Sequence, residues 1–592
     1  MIFLKSRAFL YVLLICMVAS FAILPQNFYQ TSGLRFLLSF GIASLFLIAF
    51  TSRLQSSSLT VFLLLLLLFG AASLFFNGVN SDSLLSFIQL CSIMMVMVAA
   101  YLVVRDESEE SFFVPLMNIL IFVAGLVVFI GFLESFSSVD LIYRSQAAPG
   151  STFSNRNFAS NAIALVIPVC TWLAFFRKGT ITQILIYTMV LASLFAFLSL
   201  TKTRGVLLAL ILGAAFCMCV AKWVHGRKLN WNGFYLPFRV FLVLSAFIGC
   251  WILSPAQKEV VKVATVDNSI QYRLDAWGSS AGGIIDKPII GHGLGQFRSV
   301  LYQNLQGTTL RNAVSEDRQM LHAHNEYIEL WVELGFIGLG LLIVFIYFLI
   351  KQIKRSYSEL ALFLLVGILV SLIHGFFSFP LRYGGTAIMW ALIVGLYLGV
   401  TSRKEALIAS DVPKAVKYIY GFLVLFVFSG VGAVGYSHLK HGSELGKVYH
   451  SGMKGVNCEQ LADYERNKSE FWLNEYTAKV TYVSVLNRCN YVTNESYQTV
   501  KNLFAKDPTF IRGGLYLANI EFQLGDLNTA KLRLIPMVEH HQELVEPWLL
   551  LAKISMKEES PEDALVYLKA ARASGNKLKM VDSVTQELFP GS

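Results

Sequence analysis

Apolar runs dominate the first three quarters of the chain and are broken by short polar stretches. A run needs about 17–25 residues to cross a bilayer as an α-helix. About thirteen runs are long enough: 8–24, 34–51, 59–76, 84–104, 112–134, 158–176, 180–200, 204–221, 235–253, 330–350, 358–378, 384–400 and 416–436. Lys5 and Arg7 precede the first, as in a signal peptide. No clean small-x-small cleavage site follows and many more spans come after, so the run is read as a retained first helix. From residue 437 the composition becomes that of a soluble domain. There "LANIEFQLGDLNTA" (517–530) and "LAKISMKEESPEDA" (551–564) align at a 34-residue offset, with Ala518 over Ala552 and Ala530 over Ala564. Gly525 and Asp507-Pro508 also suit the helix–turn–helix pattern of tetratricopeptide repeats (TPR). The reading is all-α. N-terminal transmembrane helices occupy 1–253, a large loop 254–325, C-terminal transmembrane helices 326–436 and a TPR-like helical domain 437–592.

Composition agrees with this pattern. Of 592 residues, 55% are hydrophobic and only 15% charged, too few charges for a soluble chain of this length. The formal net charge of +10 is placed where orientation signals belong. Lys5/Arg7, Arg53, Arg105, Arg177/Lys178, Lys222/Arg227/Lys228, Lys351/Lys354/Arg355 and Arg403/Lys404 fall in alternate connections, whereas 25–33 and 77–83 carry no cation. The positive-inside rule makes the first set cytoplasmic, and an odd number of spans then puts the large loop and the C-terminal domain outside. The basic surplus therefore calls for no nucleic-acid partner. Cys16, Cys91, Cys170, Cys217, Cys219 and Cys250 lie in apolar runs and read as buried thiols. Cys458 and Cys489 lie in the outer domain and can pair if that compartment is oxidising.

Several cations break the positive-inside pattern. Lys202 and Arg204 in "SLTKTRGVLL" occupy a very short outward turn, Arg273 lies in the large loop, and Arg382 with Tyr383 in "FPLRYGG" marks another outer membrane edge. Arginine suits phosphate because its planar fork makes two parallel charge-assisted hydrogen bonds. Snorkelling cations, a surface salt bridge at Arg273 and an interfacial-belt tyrosine are the competing readings. The glycines of "GHGLGQF" lack the strand–turn–helix setting of a nucleotide fingerprint.

The most unusual stretch is "LHAHNEYIELWVELG" (321–335). His322 and His324 are two apart, but no third strong ligand follows at a familiar spacing, and "HAHNE" is not the helical HExxH arrangement, so a metal site is disfavoured. Asn325 reads as an N-cap with Glu326 in the first turn. Glu326, Glu329 and Glu333 fall on one side at helical spacing and read as a solvated face. A neutral histidine at this edge can act as a general base toward a hydroxyl, or can be a satisfied interfacial residue.

These blocks together resemble the bacterial O-antigen ligase/polymerase superfamily. They are "GSTFSNRNFASNAIALVIP" (150–168), "TKTRGVLLAL" (201–210), "YRLDAWGSSAGGIIDKPIIGHGLGQF" (272–297), "HAHNEYIELWVELGFIG" (322–338) and "HGFFSFPLRYGGTAIMWALIVGL" (374–396). The "FPLRY" block and the TPR-like domain look most like the protein O-oligosaccharyltransferases of the PglL type. One position departs, Ser378, where that branch often carries an acidic residue. The resemblance implies a multi-pass enzyme of the Gram-negative inner membrane with its active site and C-terminal domain on the periplasmic side. Its donor would be an undecaprenyl-diphosphate-linked oligosaccharide, and its acceptor a Ser or Thr hydroxyl of a periplasmic protein such as pilin. In the ligase branch the acceptor is a lipid A-core sugar instead. Neither nucleotide sugar nor metal cofactor is implied. Carried onto this sequence, His324 would be the base and Tyr383 would assist. Arg204, Arg273 and Arg382, with Lys202, would hold the diphosphate, and His322 and Asn325 would support them. A flippase of lipid-linked glycan is the competing class; it predicts charges deep within the spans, whereas these candidates lie near outward edges.

Overall fold

The computed structural model describes residues 58–105, 109–136, 149–153, 155–224, 226, 236–253, 268–304, 320–355, 358–402, 414–450, 455–506, 511–540, 542, 544–575 and 577–590. The expected spans 8–24 and 34–51 lie outside these residues, as do Cys16 and Asp507-Pro508. Apart from one two-residue antiparallel pairing, Tyr449–His450 with Gly455–Val456, the regular structure described is helical. The apolar part comprises α1 (Ser58–Asn77), α2 (Ser81–Arg105), α3 (Glu109–Phe136), α4 (Arg156–Phe175), α5 (Ile181–Thr201), α6 (Arg204–Cys219) and α7 (Leu236–Leu253). The large loop contains α8 (Asn268–Asp286) and α9 (Phe297–Gln303), and is followed by α10 (Glu326–Arg355), α11 (Glu359–His374), α12 (Gly384–Thr401) and α13 (Lys414–Val448). Among the described residues, seven helices are long and apolar enough to cross a membrane, and three shorter apolar helices accompany them. The chain is an integral membrane protein.

Helix α12 lies at the centre, with all of its residues buried. It packs closely on α2 because two glycines four apart present bare backbone to it. A Cβ on Gly395 would lie 2.4 Å from the Met97 carbonyl oxygen, and one on Gly399 would lie 2.6 Å from Val104. Helices α4 and α6 flank α11, and α5 bridges α4 to α7. Arg239 of α7 is fully buried; its guanidinium donates to the Ala174 carbonyl and lies over the Phe175 ring. A cation is thereby held at the carboxyl end of α4, where helix carbonyls lack intrahelical partners. Cys91, Cys170 and Cys217 are buried as expected, but Cys250 is only half-buried and Cys219 is exposed, because α6 turns that face away from α11.

The large loop fastens the bundle through backbone. Gly335 interrupts α10 with φ 63° and ψ −160°, which frees donors and acceptors in that helix. The segment 288–293 takes them up: Phe336 and Ile337 donate to the Pro288 and Ile289 carbonyls at 2.9 and 3.2 Å. In return His292 and Gly293 donate to the Val332 and Glu333 carbonyls at 2.9 and 2.8 Å. Such mutual satisfaction is required where water is scarce. The approach leaves no room for side chains, since a Cβ on Gly291 would lie 2.3 Å from the Glu333 carbonyl oxygen. Leu294 then donates to Ser73 of α1 at 3.0 Å, and Gly295 lies against the Asp82 carbonyl of α2. The "GHGLGQF" glycines thus make a clasp between α1, α2 and α10.

The C-terminal part continues as α14 (Leu461–Asn467), α15 (Glu470–Leu473), α16 (Tyr476–Arg488), α17 (Asn494–Lys506), α18 (Ile511–Leu524), α19 (Leu527–His540), α20 (Val545–Lys557), α21 (Pro561–Ala573) and α22 (Leu578–Leu588). The 34-residue repeat is two successive helix pairs, α18/α19 and α20/α21. Ala518, Ala530, Ala552 and Ala564 are all fully buried where the helices touch, and Gly525 turns the first pair with φ 85°. A disulfide joins Cys458 to Cys489, with Cα atoms 5.5 Å apart. Arg298 of α9, buried near Asp82, lies over the Tyr476 ring at 4.3 Å and so connects the loop to α16.

Gly395→Val should therefore cost at least ~1–3 kcal/mol of stability through overpacking against backbone. Gly340→Ala, where an added Cβ meets nothing within 4 Å, should cost nothing measurable. Thermal unfolding of the purified variants in detergent checks this: only the first should melt early.

Candidate functional site

The site is built at the amino end of α10. Asn325 caps it, its Oδ1 accepting from the Tyr327 and Ile328 amides at 3.0 and 3.1 Å. Glu326, Glu329 and Glu333 follow on one face, and here the sequence reading is corrected. That face is not solvated: Glu329 and Glu333 are each only 1% exposed, and all three carboxylates surround Arg382. The Arg382 Nη2 donates to Glu333 at 2.7 Å, and its Nε lies 3.5 Å from Glu329 and 3.6 Å from Glu326. Burial works against the guanidinium charge, but Glu333, Glu329 and Glu326 outweigh it and hold the Arg382 pKa above its ordinary value.

Each carboxylate also grips a different strand of the chain. Glu326 accepts from the Leu381 amide at 2.6 Å, Glu329 from the Ala323 amide at 3.1 Å, and Glu333 from the Phe297 amide. The ion cluster thereby joins the loop after α8, the histidine turn and the segment before α12. The sequence reading places Arg382 on a donor diphosphate; here its Nε and Nη2 face carboxylates.

The histidine turn comes next. Glu329 accepts from or shares a proton with His322 Nδ1 at 2.9 Å, and the His322 ring stacks on Phe379 at 4.3 Å. His324 has φ 52°, in the left-handed region that a non-glycine residue enters at a cost. Its ring meets Phe379 edge-on at 5.0 Å and Tyr272 at 6.3 Å, while Trp277 Nε1 donates to the Ala323 carbonyl at 2.9 Å. Burial, then the Arg273 charge and that of His322, lower the His324 pKa to about 4, against a smaller raising effect of Glu329. The imidazole is therefore neutral near pH 7 and able to accept a proton.

Residues 374–383, between α11 and α12, link the remaining candidates. Gly205, next to Arg204, packs on His374, where an added Cβ would lie 3.2 Å from the ring. His374 Nδ1 lies 3.2 Å from Asn161 Oδ1, and Asn161 donates to Ser371 at 3.2 Å. Arg273 is within electrostatic range of both His324 and His374. Tyr383 stacks on Phe158 at 4.1 Å, and its hydroxyl donates to the Phe153 carbonyl at 3.0 Å. Phe158 in turn meets Phe379 at 5.2 Å. Arg204 opens α6, Lys202 closes α5 in a left-handed cap, and both are exposed, with no ion pair among the described residues. Below the ion cluster, a slot of about 220 Å³ runs between α1, α2 and α10. Gln89, Glu326 and Arg382 line its polar end, and Met97, Phe345 and Trp390 its apolar end.

Phe379 and His374 are parts of this arrangement that the sequence reading did not single out, and it gave Glu329 and Glu333 no partner. One signal was available for Glu333, which sits between Val332 and Leu334 at the start of a long apolar run and so required an internal partner. Chemically, the arrangement offers a neutral base within electrostatic range of Arg273, near an apolar slot whose lining includes Glu326 and Arg382.

Residues 187–343 match a family model described as Wzy_C, O-antigen ligase. That stretch carries Lys202, Arg204, Arg273, the histidine turn and the three glutamates, whereas residues 374–383 lie beyond it. No curated protein matches the chain.

The depressed His324 pKa makes a signed prediction. Between pH 6.5 and about 4 the unfolded chain takes up a proton that the folded His324 refuses. Stability therefore falls as pH drops through that window. Melting temperatures measured across it should decline more steeply for wild type than for His324→Gln; parallel curves would contradict the assignment.

Proposed function

We propose that this chain transfers a glycan en bloc from an undecaprenyl-diphosphate carrier to Ser or Thr hydroxyls of periplasmic or pilin proteins. The O-antigen ligase match indicates ligase-like glycan transfer from a lipid-linked donor. One observation carries the finer reading: a neutral His324 lies within electrostatic range of Arg273 and beside the 374–383 loop, against which Gly205 packs next to Arg204.

In the proposed step, the acceptor hydroxyl loses its proton to His324 while its oxygen attacks the anomeric carbon. The bond from that carbon to the diphosphate oxygen breaks, and the electron pair leaves with the polyprenyl diphosphate. Attack opposite the leaving group inverts the anomeric configuration. Arg204 and Arg273, with Lys202 as a secondary contributor, stabilise the charge gathering on the diphosphate. Tyr383, stacked on Phe158, orients the loop bearing Phe379, and His322 and Asn325 support the turn that holds the base. Arg382 serves as an anchor of the three glutamates rather than as a diphosphate ligand. The carrier's hydrocarbon chain would occupy the apolar slot that ends at Phe345 and Trp390.

Thirteen spans, the periplasmic orientation, the Gram-negative inner membrane and the TPR-like character of the last domain belong to the same proposal. Supporting them are helices at all eleven described span positions, the repeat of helix pairs, and the Cys458–Cys489 bond, which suits an oxidising compartment. Paired-helix surfaces suit peptide acceptors. The family's description favours a second reading in which the acceptor is lipid A-core.

His324→Ala and Arg273→Ala should each lower transfer in cells by roughly 100-fold or more. Transfer left intact in both variants would refute the mechanism. A deletion strain separates the acceptors. Loss of pilin or reporter glycan supports the protein reading, and loss of smooth lipopolysaccharide supports the lipid one.

A further inference from the structure

The buried side chain of Glu329 makes three contacts, all of them to groups that surround the proposed base and none to space where a substrate could sit. Oε1 faces His322 Nδ1 at 2.9 Å and Arg382 Nε at 3.5 Å. Oε2 accepts from the Ala323 amide at 3.1 Å. Ala323 lies between the two histidines, and its carbonyl is held from the opposite side by Trp277 at 2.9 Å. The two peptides flanking Ala323 are therefore both held, the first at its amide and the second, which precedes His324, at its carbonyl. The residue so fixed, His324, is the one in the left-handed region. Strain of this kind persists only where the surroundings over-determine the backbone. His322, held by the same carboxylate, presents its ring face to Phe379, whose edge meets His324.

We infer that Glu329 is a positioning residue that sets the His324 imidazole by holding the Ala323 amide and the His322 ring at once, with Arg382 fixing the carboxylate's own place. This rests on the reading of His324 as the base, but its structural half stands apart from it. Arg382 contributes by the contacts already described, and Glu326 and Glu333 fix the same guanidinium from its other sides.

Glu329→Gln gives the sharpest test. Gln has the same shape but only one acceptor oxygen, so its amide nitrogen faces either the Ala323 amide, a donor it cannot satisfy, or His322 Nδ1, which must then be the unprotonated nitrogen of its ring. We expect the purified variant to fold and bind donor with KM little changed while kcat falls about 100-fold, the effect of misplacing a reacting group by about 1 Å. His322→Asn combined with Glu329→Gln supplies an acceptor for that amide nitrogen and should recover a substantial part of kcat. A merely structural role would instead lower melting temperature and yield, with no recovery in the double variant.

A second readout does not need activity. The Trp277 indole NH resonance, assigned with Trp277→Phe, should shift in Glu329→Gln and return toward its wild-type position in the double variant. An unshifted Trp277 resonance or an unchanged kcat would overturn the inference. If wild type transfers glycan to neither a protein nor a lipid acceptor, the functional reading fails, and the Trp277 resonance alone decides the positioning role.

Discussion

One guanidinium facing three carboxylates, two of them almost wholly out of water, is the interaction on which the rest of this end of the bundle depends. Isolated buried charges are strongly unfavourable, and a buried ion pair is tolerated only where geometry and extra hydrogen bonds satisfy the remaining lone pairs. Here those extra bonds come from the Leu381, Ala323 and Phe297 amides. They belong to three segments far apart in sequence. Removing Arg382 would leave its carboxylates unpaired in the interior, which typically costs about 3–5 kcal/mol. Such a cluster favours one arrangement of the three segments over alternatives, because any slippage exposes a charge to an apolar wall.

The glycine clasp does the same work for backbone. Gly335 breaks α10 below the glutamates, so the first turns can tilt while the remainder continues into the apolar bundle. The carbonyls and amides released by the break are taken by residues 288–293. Side chains and main chain therefore converge on the same short stretch, and His324 emerges from it in a conformation that neither would impose alone. Arg204 and Lys202, left without carboxylate partners among the described residues, contrast with Arg382, whose Nε and Nη2 face three carboxylates.

Much of the architecture was legible from sequence because it rests on one-dimensional signals. Apolar run length located the helices, the Asn325 cap was readable from residue type, and the 34-residue offset of paired alanines located two helix pairs. What escaped were relations between distant segments. Glu326, Glu329 and Glu333 have the spacing of a wet helical face, and nothing local says that Arg382, 49 residues beyond Glu333, covers it. The carboxylates that face this arginine are likewise invisible from its own loop. Cys219 lies in an apolar run yet is exposed, since run composition does not say which side of a helix faces a neighbour. Phe379 escaped for a related reason. An aromatic residue in a short loop carries no periodicity, and its contacts with His322, His324 and Phe158 exist only in three dimensions.

At the centre of the proposed mechanism is a division of labour among the arginines, in which Arg382 organises the carboxylates while Arg204 and Arg273 would receive the donor's diphosphate. An experimental structure of the enzyme with a polyprenyl-diphosphate donor analogue bound tests it most directly. The account predicts diphosphate oxygens within hydrogen-bond distance of Arg204 and Arg273, with Arg382 still held by Glu326, Glu329 and Glu333. Diphosphate seated on Arg382 with the glutamates displaced, or bound on a face away from His324, would contradict it.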